Sequence, residues 1–253
     1  MEQILPGNTG LLKALGLRKI PTASALRKFA RRLKAKWGHF ALGGCAALAG
    51  LKEVISGIDG TGHSKLKGSK HYYKRTGKKA KKKDYVKVVG LDDLTTQLVL
   101  ALRIRKKVRH DNVDFKPMIN RAARIVSLDT VTGDKGFDAQ KNHEVVHKHG
   151  ALLITPLKNK DVPIHRTKGA DRKKLKRYFP KKKYHQRSKK ETVWSVVKQK
   201  FGDAVTSLNF HMQKIELLCR YLAYNIDRIL TLQKKSKIMS LFSDELKITL
   251  MTD

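Results

Sequence analysis

Short apolar runs of strand length alternate along this chain with longer runs whose apolar residues recur at helical spacing. After Pro21, Thr22 or Ser24 is placed to cap a helix running to about Trp37. Leu26, Phe29, Ala30 and Leu33 make one face of it, and Arg27, Lys28, Arg31, Arg32 and Lys34 the other. That basic face suits DNA and suits solvent equally. Phe40 to Leu51 is weakly polar and rich in Gly and Ala, a packed helix or turn. Val54–Asp59 predicts a short strand stopped by Gly60-Thr61-Gly62. A lysine-rich connector, Lys65–Lys83, holds Tyr72 and Tyr73. Two more strands follow, Tyr85–Val89 and Gln97–Arg105, with Leu91-Asp92-Asp93 in the turn between them. Three such strands in succession predict an antiparallel meander.

In the second half Asp111 is placed to cap a helix carrying Phe115, Met118, Ile119 and Ala122. A β-rich stretch, Ile125–Thr132, reaches Gly133-Asp134-Lys135-Gly136. Asp138 then caps a helix to about Lys148, Gly150 ends it, and Ala151–Pro156 is a buried strand. Residues 157–190, with Pro163 and Pro180, read as a basic segment too polar to pack. The helix after it puts Val193, Val196, Val197 and Ala204 on one side. The last, about Leu208 to Leu232, sets Ile215, Leu218, Leu222, Ile226 and Ile229 near one side. The order predicts an α/β fold: a mixed sheet, three antiparallel strands and then parallel ones, flanked by helices.

Composition sharpens this picture through charge. With 40% hydrophobic and 30% charged residues the 253-residue chain is globular. Its 56 Lys+Arg against 21 Asp+Glu give a net charge of +35, which self-repels unless it meets a polyanion. Nucleic acid is the leading partner. A membrane is not, since no lipidation signal and no apolar run of about 20 residues occurs. Two cysteines far apart, Cys45 and Cys219, make no disulfide framework; both sit among apolar residues as core positions and point to a reducing compartment. The ten histidines show no zinc spacing.

Candidate chemistry rests on a few residues. Tyr184, Arg187, Glu191 and Lys198, spaced Tyr-x2-Arg-x3-Glu-x6-Lys, fall on one helical stripe about 60° wide, opposite the valines. A solvated charged face would look the same. Carboxylates are scarce, so those at strand ends stand out. Asp59 ends the first strand and Asp134 the fourth, each beside glycines, and these strands adjoin if the sheet is mixed. A helix crossing that edge adds Glu191. Clustered carboxylates repel unless a cation neutralises them, and hard oxygen ligands favour Mg²⁺ or Mn²⁺. Two such ions serve phosphodiester transfer. Asp111 and Asp138 are assigned to caps; Asp92, Asp93 and Asp129 are weaker candidates for the site.

These residues resemble the DDE transposases of bacterial and archaeal insertion sequences. Gly57-Ile58-Asp59-Gly60-Thr61-Gly62 resembles the family's first-Asp segment, and His110-Asp111-Asn112 with Phe115 and Pro117 its His-Asp-Ser stretch. Gly133-Asp134-Lys135-Gly136-Phe137-Asp138 resembles the second-Asp motif, with Phe for Tyr. Tyr184, Arg187, Glu191 and Lys198 fit its YREK signature at every gap. The resemblance covers about residues 15–235. It implies an RNase H-like fold, a metal-binding catalytic triad of Asp59, Asp134 and Glu191 with two ions, and DNA contacts from Tyr184, Arg187 and Lys198. Arg27 and Arg31 are further DNA-binding candidates. It also implies a homodimer on DNA, action at the prokaryotic nucleoid, and cleavage of transposon ends followed by joining to target DNA. The alternative is an inactive or co-opted remnant that binds DNA. The expected organisation is a partial helical DNA-binding segment over 1–50, the catalytic domain over 51–235 and a tail over 236–253. Only Leu15 to Leu33 resembles the end of the family's longer helical N-terminal region, so a truncated copy, or a start codon placed late, is expected. The interval from Asp134 to Glu191 leaves little room for the large β insertion of some relatives.

Overall fold

The structure, a computed structural model, describes residues 10, 13, 16–65, 75, 85–106 and 109–249, and of 235–249 the backbone alone. Most of the connector with Tyr72 and Tyr73 lies outside the described residues. Thr22 caps α1 (Ala23–Arg32), its hydroxyl accepting from Ala25 N at 3.2 Å. The helix predicted to reach Trp37 breaks at Leu33-Lys34, both extended, and restarts as α2 (Ala35–Leu48). The apolar Phe40–Leu51 run is therefore helical and packed, with Leu42, Cys45 and Ala46 buried. Cys219, expected in the core, is exposed.

The sheet comprises β1 (Glu53–Ser64), β2 (Tyr85–Asp93), β3 (Val99–Arg105), β4 (Ser127–Gly133) and β5 (Leu152–Ile154), in the order β3-β2-β1-β4-β5. β1–β2 and β2–β3 are antiparallel; β1–β4 and β4–β5 are parallel. The predicted mixed sheet with adjoining first and fourth strands is the observed one. α3 (Asn112–Ala122) joins β3 to β4, and α4 (Gln140–His147) joins β4 to β5. They cover one face, where Ile58, Val89, Phe115, Met118, Val131, Phe137 and Val146 pack. α7 (Ser188–Phe201) and α8 (Phe210–Thr249) cover the other with α2, burying Val88, Leu102, Val193, Trp194, Val197, Leu217 and Tyr221.

Five local expectations change. β1 does not stop at Asp59: its antiparallel pairing with β2 carries the ladder through Gly60–Ser64, so Asp59 lies inside the strand. Leu91-Asp92-Asp93 is not a turn but the end of β2; the turn follows, with Asp93 accepting from Thr95 N and Thr96 N and Gln97 at φ 63°. Asp111 stands at the start of α3 without a side-chain capping bond, and Asp138 closes the preceding 3-10 turn, leaving Ala139 at the start of α4. Asp138 is buried, holds Arg172 by two hydrogen bonds and accepts from Lys158 N at 2.8 Å. With the Asp171–His147 contact of 2.8 Å, this orders the segment expected to be too polar to pack, as α5 (Ala170–Arg177) and α6 (Lys181–His185). In α8, Ile215, Leu218 and Ile229 are buried as expected, but Ile226 is half exposed.

Candidate active site

Strand alternation sends Ile58 to one core and the next residue, Asp59, to the face under α7. Parallel pairing of β1 with β4 ends at Ile58↔Gly133. Asp59 and Asp134 are therefore the residues that follow the last paired step of two adjoining strands. Past it β4 gives way to a 3-10 turn, Lys135–Phe137, in which Asp134 Oδ1 accepts from Gly136 N at 2.8 Å. A Cβ at Gly136 would come to 2.8 Å from that oxygen, so a larger residue there would displace the Asp134 carboxylate. Burial is the main cause that raises the Asp59 pKa, and the Asp134 charge adds to it; a bond from Gly60 N, Arg187 and Lys190 oppose it.

The predicted stripe is not one helix. Tyr184 ends up on α6, the chain turns at Gln186-Arg187, and Glu191 and Lys198 lie on α7. The break brings Arg187 over the carboxylates: Nη2 is 3.9 Å from Asp59 Oδ1 and Nη1 3.8 Å from Glu191 Oε1. Its Nε is buried with no hydrogen-bond partner among the described residues. Burial raises the Tyr184 pKa; Arg187 draws it down, while Asp134 and Asp59 push it up. Asp59, Asp134, Tyr184, Arg187 and Glu191 thus form one neighbourhood. Glu191 joins it through Arg187, with its side chain 68% exposed. Among the described residues no three His, Cys, Asp or Glu side chains close into a metal-binding cluster. The donor chemistry still fits a hard divalent cation: two carboxylates just past the point where the pairing of β1 with β4 ends, a third on the helix above, and a guanidinium already balancing charge there.

Lys198 stands apart. It donates to Gly62 O at 2.8 Å and pairs with Asp203 Oδ1 at 3.3 Å, three residues along β1 from Asp59. Arg27 and Arg31 are exposed on α1, which touches α8 through the His211 ring and Arg31 O at 3.2 Å; neither is set against the carboxylates.

Beneath the site lies a group that the sequence did not single out. Lys190, the residue before Glu191, is ion-paired to Asp92, and both side chains are 0% exposed. The Lys190 ammonium also sits 3.7 Å from the Trp194 ring centroid. Burial pushes the Asp92 carboxyl up to about 6 and pulls the Lys190 ammonium below the usual lysine range, each partner's charge opposing the shift. The floor is Gly90, the β2 partner of Asp59; a Cβ there would meet Trp194 at 2.4 Å and Lys190 Nζ at 2.9 Å. Trp194 is core. Lys190 had no signal of its own within a lysine-rich run. Asp111, assigned to a cap, pairs instead with Lys87 and packs over Gly60.

Three antiparallel strands followed by parallel ones, with aspartates where β1 and β4 part, define an RNase H-like α/β protein. The family model of the transposase DDE domain matches residues 51–226, from just before β1 into α8, and the chain belongs to that family of DNA-transposing enzymes. Comparison with curated proteins gives no match. No described helix is long and apolar enough to cross a membrane.

Proposed function

We propose that the protein hydrolyses transposon ends and joins the freed 3′-OH to target DNA, with Asp59, Asp134 and Glu191 as metal-binding catalytic carboxylates of a YREK-type site. The observation that carries this is the bridging of Asp59 and Glu191 by Arg187, directly beside Asp134. Divalent ions, two Mg²⁺ or Mn²⁺, would be held by the three carboxylates and would supply activation of the attacking water or 3′-OH and stabilisation of the leaving oxygen. The chain's own groups set the geometry for that. Gly136 N fixes one Asp134 oxygen and leaves the other free to bind. Burial of Asp59 strengthens its attraction to any cation that reaches it. Arg187 balances the carboxylates and, on a short turn between two helices, transfers its unsatisfied donors to an entering phosphate. Tyr184 supports Arg187, and Lys198 grips the backbone further along β1.

Arg27, Arg31 and the lysine-rich stretches add affinity without sequence information. The protein acts as a homodimer on DNA, at the nucleoid. Residues 1–50 form a DNA-binding segment, 51–235 the catalytic unit and 236–253 a tail. The test is strand transfer of a pre-cleaved end in Mg²⁺. Loss of product in Asp59→Ala, Asp134→Ala and Glu191→Ala protein, with DNA still bound, is expected. Undiminished activity in any of the three sinks its assignment, and binding without metal-dependent chemistry by the unaltered protein leaves only a DNA-binding remnant.

A further inference from the structure

Among the described residues nothing covers the outer face of α2. Its inner face is fully used: Leu42, Cys45 and Ala46 are buried, Leu218 of α8 packs on Gly38, and Ile125 packs on Gly43. The outer face repeats at helical spacing through Trp37, Phe40, Gly44 and Leu48. Trp37 is 56% exposed, and Phe40 and Leu48 are 77% exposed each. The two aromatic rings meet edge to face at 6.5 Å. A Cβ at Gly44 would meet nothing within 4 Å, so packing among the described residues does not call for glycine there. Glycine inside a helix costs about 1 kcal/mol relative to alanine. The face is also almost uncharged, in a chain of net charge +35. Only Lys36 and His39 among the 14 residues of α2 are basic. His39 turns to Arg121, whose Nη1 lies 3.2 Å from both ring nitrogens. Burial first, and then the charges of Arg121, Arg103 and Lys214, hold the His39 pKa down at about 4, so the ring is neutral.

α8 extends this surface. Its Leu222 and Ile229 pack with Cys45 in one apolar cluster, and Ile226 and Leu230, which continue the row from Leu222, are about half exposed. Together these side chains leave roughly 600 Å² open per copy, so a symmetric pair would bury about 1,200 Å², the lower bound for a specific stable interface. We propose that α2 is the contact of a homodimer, with the helices of two copies packed antiparallel across a two-fold axis. The face is complementary to itself in that sense. Its aromatic bulk lies in the first two turns and its small residues in the turns after them. With Ala41 opposite Gly44 of the second copy, Trp37 lies against Leu48 and Phe40 enters the space over Gly44. The missing side chain of Gly44 lets the helix axes approach to about 8 Å. The two Lys36 residues then stand about 20 Å apart along the helices, each near the negative end of the other helix. A parallel pair would set Phe40 on Phe40, leave Gly44 facing Gly44, and bring the lysines side by side. The inference rests on the reading of the protein as a homodimer and gives that dimer its surface, without use of the carboxylates.

The experiment follows the sedimentation of the full chain across the micromolar range, at low and high salt, with and without duplex DNA. The wild type is expected to dimerise, and more tightly as salt rises, because the two positive bodies repel while the contact itself is uncharged. Phe40→Lys changes an exposed position that the fold does not use, and should weaken the dimer at least about tenfold. Leu208→Lys, at a residue 95% exposed elsewhere on the surface, should leave it unchanged. In a Cys219→Ser chain, Gly44→Cys should form an intermolecular disulfide on mild oxidation, and Leu208→Cys should not. Dimers that persist equally in Phe40→Lys and do not cross-link through Gly44→Cys overturn the surface and leave the homodimer standing. A wild-type chain that stays monomeric on and off DNA overturns both. A Gly44→Cys thiol that resists labelling in the monomer assigns this face to the chain's own residues 11–17 and overturns the proposal as well.

Discussion

Replacing Lys190 by Met isolates the buried ion pair under the site. The substitution keeps the length of the side chain and removes its charge. In the folded protein it strands Asp92, which is 0% exposed, has Oδ2 committed to Lys190 and has Oδ1 without any hydrogen-bond partner among the described residues. Breaking a buried pair by deleting one partner costs about 3–5 kcal/mol. The lost contact of the ammonium with Trp194 contributes up to about 2 kcal/mol of that range. Against a total stability of about 5–15 kcal/mol for a domain, the variant should be visibly destabilised. Asp92→Leu together with Lys190→Met removes both charges from the same space, and an apolar pair of similar volume there is neutral to within about 1 kcal/mol or better. Urea unfolding at pH 7.5 measures both, through the midpoint at constant slope. A single variant within about 1 kcal/mol of wild type refutes the reasoning, as does a double variant no more stable than the single one.

Three further outcomes follow from the same structure. His63 is fully buried between Tyr221 OH at 2.8 Å and Asp203 O at 3.3 Å, and burial lowers its pKa to about 4. The unfolded chain therefore binds the proton first; the stability from neutral His63 is complete above about pH 6.5 and is lost toward pH 4, by up to about 3 kcal/mol. His63→Gln should flatten the unfolding free energy across that window, leaving the parallel contribution of His39; an unchanged profile counts against it. Gly90→Ala forces a methyl into Trp194 and Lys190 and should cost about 1–3 kcal/mol with a shifted tryptophan emission, whereas wild-type stability and emission would contradict the close packing. Arg172→Met leaves the Asp138 carboxylate buried without its partner, and limited proteolysis should then cut within residues 157–180 faster than in wild type; equal rates would show that the pair does not hold this segment.

Strand order and strand type were legible because each strand is short, apolar and followed by an element of the right period. The errors share one cause. Gly60 and Gly62 look like stops, yet β2 carries β1 past them, and their missing side chains make room for Asp111 and Tyr85. Leu91-Asp92-Asp93 looks like a turn because two acids in a row normally seek water; Lys190, nearly a hundred residues on, lets one of them stay buried in a strand. The polar run after residue 157 packs because Asp138 and Asp171 meet Arg172 and His147. Each misread feature depends on a distant partner, and local patterning carries no trace of distance. Asp59 and Asp134 come side by side because the adjoining of the first and fourth strands was legible; the supports beneath them depend on tertiary pairing.

The broken stripe has a consequence for how the signature residues work. A single helix from Tyr184 to Lys198 would hold all four side chains in one straight line about 21 Å long. The turn at Gln186-Arg187 divides them into two groups with different neighbours. Arg187 meets Asp59 and Glu191, where it balances like charges that would otherwise repel. Lys198 meets Gly62 and Asp203, about 10 Å along the extended strand from Asp59. At about 3.4 Å of duplex axis per phosphate of one strand, that separation is more than one phosphate step. The two cations therefore cannot serve one phosphate. Under the proposed function, one is matched to the carboxylates and the other to the DNA backbone beyond them. The same β1 strand sets the interval between them, because its ladder continues through the glycines that the sequence presents as an end.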